Sequence, residues 1–232
     1  VSKSPEGPFV NIENKPMDYY PFDGDYYDID PLLQDKNKPD ITPEEAKLKA
    51  KKGAYRSLID ANLLFDGDRI YLYFSSCCYR HFVFDERFGK YIEQAEVCGI
   101  ELERDFWDDP QGKTMPKPKP RYIHLKNGRR KDSFVTLVSY TLEPQEWENA
   151  YVDNYVRSKG TDKDRRWTEG PTCVKNGNGY AILYSCNSYA SRYYGVGIAY
   201  SDNPLGPFHK SKSNPIIHED EDLLVVNKPA GM

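Results

Sequence analysis

Long apolar runs, a basic excess and metal-type cysteine spacing are all missing from this 232-residue chain. No stretch approaches the roughly 18 apolar residues that a membrane span requires, so no membrane partner is expected. The opening residues, VSKSPEGPF, contain no apolar leader core, and the chain does not begin with Met. A cytoplasmic location and a secreted one with its leader lost ahead of Val1 therefore both stay open. The five cysteines (Cys77, Cys78, Cys98, Cys173, Cys186) have no C-x-x-C spacing, and two are adjacent. That pattern speaks against a metal site and a disulfide framework, and the odd count suits mostly reduced thiols. Lys and Arg total 32 against 36 Asp and Glu, a net charge of -4, so no positive field exists to hold nucleic acid nonspecifically. An uncharged small ligand such as a sugar fits better.

What is abundant is aromatic: 19 Tyr and 10 Phe, against only 3 Met. Such side chains suit pleated, half-buried surfaces, so strands are favoured over helices. A 38% hydrophobic content suffices to bury a core, either in one large all-β domain or in two small ones.

The run from Trp167 to Phe208 carries most of the chemistry, because it sets Glu169 between a Trp and a Gly-Pro turn ahead of two alternating β segments. A carboxyl beside an indole at a strand mouth is desolvated, which disfavours its charged form and suits a general acid.

Two internal correspondences organise the chain. Ser2-Lys3-Ser4-Pro5-Glu6-Gly7-Pro8-Phe9 matches Ser201-Asp202-Asn203-Pro204-Leu205-Gly206-Pro207-Phe208 as S-x-x-P-x-G-P-F, the mark of equivalent corners in repeated units. The second copy follows the strand 195–200, so the first is expected to follow a strand ahead of Val1, and the N-terminus reads as truncated. Leu58-Ile59-Asp60 followed by 65–75 likewise matches Glu169-Gly170-Pro171 followed by 175–185: acid, short strand, Gly-containing tip, aromatic strand. The Asp66-Gly67 and Asn176-Gly177 tips are hairpin signals. Two four-stranded units of this kind suggest propeller blades, each offering an acid from its innermost strand.

Between the units the pattern loosens. Thr42-Pro43-Glu44-Glu45 has capping-box spacing, so Glu44 to Lys52 is expected to be a short exposed helix. Met115 to Pro120 reads as an extended linker, Phe134 to Tyr140 as a strand, and Asp162 to Arg166 as a charged loop.

With SKSPEGPF, Ile59-Asp60 plus DGDRIYLYFSS, Trp147-Glu148, and Trp167-Thr168-Glu169-Gly170-Pro171 through the second GPF turn in this order, residues 1 to 215 resemble glycoside hydrolase family 43. These are five-bladed β-propeller enzymes that include β-xylosidases and α-L-arabinofuranosidases. The resemblance implies an all-β propeller fragment of about two blades plus part of a third. It also implies inverting hydrolysis of xylan-derived or arabinose-substituted oligosaccharides by a general base, a general acid and an Asp that tunes the acid. By motif, Glu169 matches the acid and Asp60 the tuning Asp. The base is expected on a strand ahead of Val1, so this chain alone is expected to show little or no turnover. No metal or organic cofactor is implied, the partner is an oligosaccharide substrate, and the oligomeric state is left open.

Structural readings stand beside these. Glu169 also reads as a surface carboxylate at a turn, and Asp60 as a strand-edge residue; Asp30, in Asp28-Ile29-Asp30-Pro31, rivals it for the tuning role. Tyr193 and Tyr194 read as a sugar platform or as core, and Arg80 and His81 as ligands of sugar hydroxyls or as structural residues. Trp107 and Trp147 read as packing residues. A noncatalytic sugar-binding propeller remains the alternative to an enzyme.

Residues 216 to 232 read differently, as a separate tail. Ile216 to Met232 resembles the opening strand of large-subunit-type RNA pseudouridine synthases, which read E-D-x-x-L-x-V-x-N-K-P-x-G, without that family's catalytic Asp. A fusion of a propeller fragment with such a segment is the corresponding expectation. The bland reading is a strand, Leu223 to Val226, that pairs with an exposed edge.

Overall fold

A computed structural model describes residues 2, 4–8, 44, 56–85, 90–150, 165–187, 193–219 and 224–226. Asp30 lies outside them, as does the expected helix 44–52 apart from Glu44, which is helical. Among the described residues the chain is all-β, as expected. Its strands are β1 (Arg56–Asp66), β2 (Arg69–Asp85), β3 (Lys90–Leu102), β4 (Ile123–Lys126), β5 (Arg129–Asp132), β6 (Val135–Val138) and β7 (Asn149–Ala150). They continue as β8 (Arg165–Asn176), β9 (Gly179–Cys186), β10 (Gly195–Ser201), β11 (His209–Lys210), β12 (Ile217–Glu219) and β13 (Leu224–Val226). A short helical turn, α1, spans Asp105–Asp108.

Two four-stranded antiparallel meanders form the body: β1-β2-β3-β6 and β8-β9-β10-β11. This is the unit from which propeller blades are made. The start of β8 joins them, since Arg165 to Trp167 pair in parallel with Glu93 to Ala95 of β3 before the strand turns to β9 at Thr168. Arg165 and Arg166 are therefore strand residues, where the sequence suggested a loop.

Both hairpins close with two-residue loops, Gly67-Asp68 and Gly177-Asn178. Gly takes the first loop place in each, with φ of 59° and 60°. That conformation favours a residue without Cβ and twists the strands together.

The central strand β2 is buried on both faces. Ile70 and Phe74 face one apolar cluster with Cys98, Ile100 and Leu102. Tyr71 and Tyr73 face the other, where Val97, Val138, Ile182, Tyr184, Cys186 and Phe208 join the two meanders in one core. This double burial explains why Ile70 to Phe74 reads as an unbroken apolar and aromatic run.

The S-x-x-P-x-G-P-F correspondence is structural. In the two copies the Gly7 and Gly206 amides donate to the Ser4 and Asn203 carbonyls at 3.0 Å each. The Ser2 and Ser201 hydroxyls accept from the Ser4 and Asn203 amides at 3.2 and 3.0 Å. The second copy also clamps the meanders together, because its Pro204 carbonyl accepts from the Tyr73 hydroxyl at 2.7 Å. Its Leu205 rests over Gly99, where an added Cβ would come within 3.0 Å of the Leu205 side chain and 2.7 Å of Leu137.

Met115 to Pro120 is not a free linker. Glu103 donates its amide to the Lys117 carbonyl at 2.8 Å, and Lys119 donates to the Glu101 carbonyl at 3.0 Å. Alternating prolines supply no N–H, so the intervening lysines make the pairing, as befits an edge segment. The predicted strand 134–140 is present over Val135–Val138. Trp147 packs against the joint core, while Trp107 is 56% exposed and leans on Phe65 with ring centroids 4.5 Å apart.

Two buried carboxylates brace the ends. Glu101 receives both Arg69 Nε and Nη2 at 2.9 and 2.8 Å, with Lys119 Nζ at 3.3 Å and Arg121 close by. The Arg69 hydrogen bonds, with Lys119 adding to them, hold its carboxyl below the ordinary 4.5. A folded-state value below the unfolded one means that this stabilisation is present above about pH 4.5 and is lost as pH falls. Thermal melts across that range should show Glu101→Gln losing stability at pH 7 and having a flatter acid limb than the native chain.

The second brace is Glu148, fully buried, which accepts from the Tyr184 hydroxyl at 2.8 Å and from Lys210 Nζ at 2.6 Å. Lys210 Nζ also donates to the Ser139 and Glu143 carbonyls, at 2.8 and 2.6 Å.

Described residues of the tail pair with this sheet. Ile217 and His218 pair with Val196 and Gly195 of β10, and Leu224 to Val226 pair with β12.

Candidate functional site

The two meanders carry matching irregularities. On β1, Ile59 faces Ser75 and Asn62 faces Tyr73, so Asp60 and Ala61 together oppose one residue. On β8, Glu169 faces Ser185 and Thr172 faces Leu183, so Gly170 and Pro171 do the same. Each is a bulge, which leaves the ladder and re-aims the chain. Asp60 has φ 58° and Gly170 φ 60°, both in the left-handed region that Gly, and among other residues Asp, adopts most readily.

This pairing refines the repeat by one residue. The place equivalent to Glu169 is held by Ile59, 39% exposed, and the place equivalent to Asp60 is held by Gly170. One acid precedes its bulge and the other sits on it.

The bulges meet. Ser75, wholly buried on β2, donates its hydroxyl to Asp60 Oδ2 at 2.8 Å. The Gly170 amide donates to that same Oδ2 at 3.2 Å and to Ser75 Oγ at 2.9 Å. Asp60 is thus tied to the residue that follows Glu169 in the chain. Nearby, Asn62 Oδ1 accepts the Cys173 amide at 3.1 Å, a second strap between β1 and β8.

Glu169 is half-buried and held through both oxygens. The Trp167 indole Nε1–H donates to Oε2 at 2.6 Å, and the Tyr194 hydroxyl lies 3.4 Å from Oε1. Trp167 meets the acid with its polar edge as well as its apolar body. Burial raises the Tyr194 phenol above its ordinary 10.0; a Ser185 hydrogen bond opposes this, while the charges of Glu169 and Asp60 reinforce it. That hydroxyl stays protonated at neutral pH.

Trp167 is itself fixed. It is buried against Cys77 and Ala95, and its carbonyl accepts the Asn187 amide at 3.1 Å. Asn187 in turn donates Nδ2 to the Trp147 carbonyl at 2.9 Å, joining this corner to the segment that carries Glu148.

Of the residues singled out in the sequence, Asp60, Glu169 and Tyr194 are brought to one place. Tyr193 is half-buried just before Tyr194, and Arg80 and His81 lie in β2 with their side chains outside the described residues. Ser75 and the donor role of Trp167 were missed. The sequence did offer a signal for Ser75, since Ser75 and Ser185 occupy the same place in the repeat. Asp60 also lines a cavity of about 260 Å³, whose walls include Leu58, Leu72, Phe74, Ile100 and Phe134 but not Glu169. That apolar space is not where the two bulges join.

Comparison with known proteins gives the following. Among solved structures, the chain is similar to a thermostable family-43 glycoside hydrolase: 25% identity, TM-score 0.46, over 69% of this chain and 38% of that one. It is also similar to an endo-1,4-beta-xylanase from Bacteroides thetaiotaomicron, with 22% identity and TM-score 0.39, over 68% and 38% of the two chains. A family 117 glycoside hydrolase from the marine bacterium Zobellia galactanivorans matches at 17% identity and TM-score 0.37, over 72% and 35%. These three are glycoside hydrolases. The chain spans 38% of the length of the first two. No family model and no curated protein matches it, and nothing in these comparisons supports the RNA-enzyme resemblance of residues 216–232.

Proposed function

We propose that this chain carries part of the acid–base centre of a glycoside hydrolase acting on xylose- or arabinose-containing oligosaccharides with inversion. The observation that carries the reading is the junction of the bulges, where the Gly170 amide reaches Asp60 Oδ2 directly beside Glu169 in the chain. In this reading Glu169 protonates the leaving-group oxygen, and Asp60 tunes that acid and orients the sugar. Inversion further requires a carboxylate base that activates water on the opposite face of the ring, roughly 6.5–9.5 Å from the acid. That role is assigned to none of the described residues.

The reading makes a stereochemical prediction. In a protein that also supplies the base, proton NMR during hydrolysis of an aryl β-xyloside should show α-xylose as the first-formed sugar, and an aryl α-arabinofuranoside should give the β-anomer first. Retained configuration would overturn inversion. Sugar binding without turnover even where the base is supplied would favour the noncatalytic alternative, and neither binding nor turnover would sink the carbohydrate reading.

A further inference from the structure

We infer that Trp167 is a positioning residue that fixes which oxygen of Glu169 carries the transferable proton, reserving Oε2 as an acceptor and placing the proton on Oε1. The inference rests on the reading of Glu169 as a proton donor. An oxygen that receives an N–H at 2.6 Å is committed as an acceptor and is the poorer place for an O–H. The indole cannot reverse this polarity, because it has a donor and no acceptor. It cannot swing away either, since its ring is buried against Cys77 and Ala95. On the Oε1 side the Tyr194 hydroxyl donates at the longer distance of 3.4 Å, and as a rotor, unlike the indole, it can turn to accept once Oε1 carries the proton.

The consequence falls on the transfer step. As the glycosidic C–O bond breaks, its electron pair goes to the leaving oxygen, which takes the proton from Oε1. Water attacks the anomeric carbon from the other face and gives its proton to the carboxylate base. Glu169 is left as a carboxylate, and the indole N–H is already aimed at the oxygen onto which that charge spreads. The hydrogen bond strengthens as the proton leaves, which favours the transition state over the ground state.

The test is a side-chain NMR titration of the native chain beside Glu169→Gln and Trp167→Phe. The three tryptophans give three indole N–H signals, and that of Trp167 should move with pH in step with the Glu169 carboxyl carbon. Trp147 donates to Gln145 Oε1 at 2.8 Å and serves as the internal control. In Glu169→Gln the Trp167 titration should vanish. In Trp167→Phe the proton affinity of Glu169 should rise about tenfold, the size expected for loss of one hydrogen bond to a charged group. A Trp167 signal that does not follow Glu169 overturns the inference without any variant having to fold. So does an unchanged Glu169 midpoint in a folded Trp167→Phe chain. Failure of the proton-donor reading itself is seen separately, in the leaving-group kinetics of Glu169→Gln.

Discussion

Glu169→Gln, made in a protein that also supplies the base, is expected to lower kcat/KM about 10²–10⁴-fold on a phenyl β-xyloside and far less on a dinitrophenyl β-xyloside. The contrast follows from what a general acid supplies. Phenolate is a poor leaving group and needs its oxygen protonated as the bond breaks, whereas dinitrophenolate departs without help. Gln keeps the shape of Glu169 and offers an N–H to solvent or substrate, but it has no proton to transfer. A variant that lost both substrates equally would instead have disturbed the fold or sugar binding. Equal losses in a variant that still folds and binds the sugar would remove Glu169 from the role of acid. The same pair of substrates applied to Ser75→Ala separates the second carboxylate, because Ser75 touches Asp60 and not Glu169 in the contacts described.

The largest stability effect is expected at Lys210. Its side chain is 2% exposed, and its ammonium faces a Glu148 side chain that is wholly buried. Burial pushes the Glu148 carboxyl up, and the Lys210 charge pulls it back. Lys210→Met removes the cation, leaving Glu148 either charged without a partner or forced to take up a proton. Loss of one member of such a pair costs about 3–5 kcal/mol, a fall in Tm on the order of 10 °C for a chain of this size. The sign of its pH dependence is set by the carboxyl. In the variant the folded-state value of Glu148 lies further above the unfolded one, so the deficit grows as pH rises through the folded value and shrinks toward pH 5. Calorimetry at pH 5 and pH 8 measures both. Adding Glu148→Leu to Lys210→Met should recover most of the loss, because an apolar pair of similar volume fills the space without charge.

The parts of this protein that the sequence made legible were those written locally. Hairpin tips at Gly67 and Gly177, the all-β class and the S-x-x-P-x-G-P-F corners each depend on a few consecutive residues with distinctive backbone preferences. Prolines at 116, 118 and 120 misled for an opposite reason. Extended, proline-rich chain looks the same whether it is solvated or paired through the residues between. The Glu148–Lys210 pair was invisible because nothing near either residue marks its partner, and surface lysines are far commoner than buried ones. At the site, the acids were visible but their support was not. Ser75 sits in an aromatic strand where a serine reads as a gap in the pattern, and its value lies in what it touches. The indole of Trp167 was expected to act by excluding water, since a sequence does not tell which edge of a ring faces its neighbour.

One residue of offset between the two bulges has a consequence for how such a centre arises. If both meanders carried their acid at the same place, the chain would present two copies of one functional group. Placing one acid before the kink and the other on it breaks that sameness without altering the scaffold. Asp60 is tied to Ser75 and Gly170, whereas Glu169 is held by Trp167 and Tyr194, and the proposed roles of tuner and proton donor fall on these two different settings. A repeated structural unit thereby yields two carboxylates that differ in approach and surroundings, and the proposed division of labour between them would need no more than a displacement of one position along a strand.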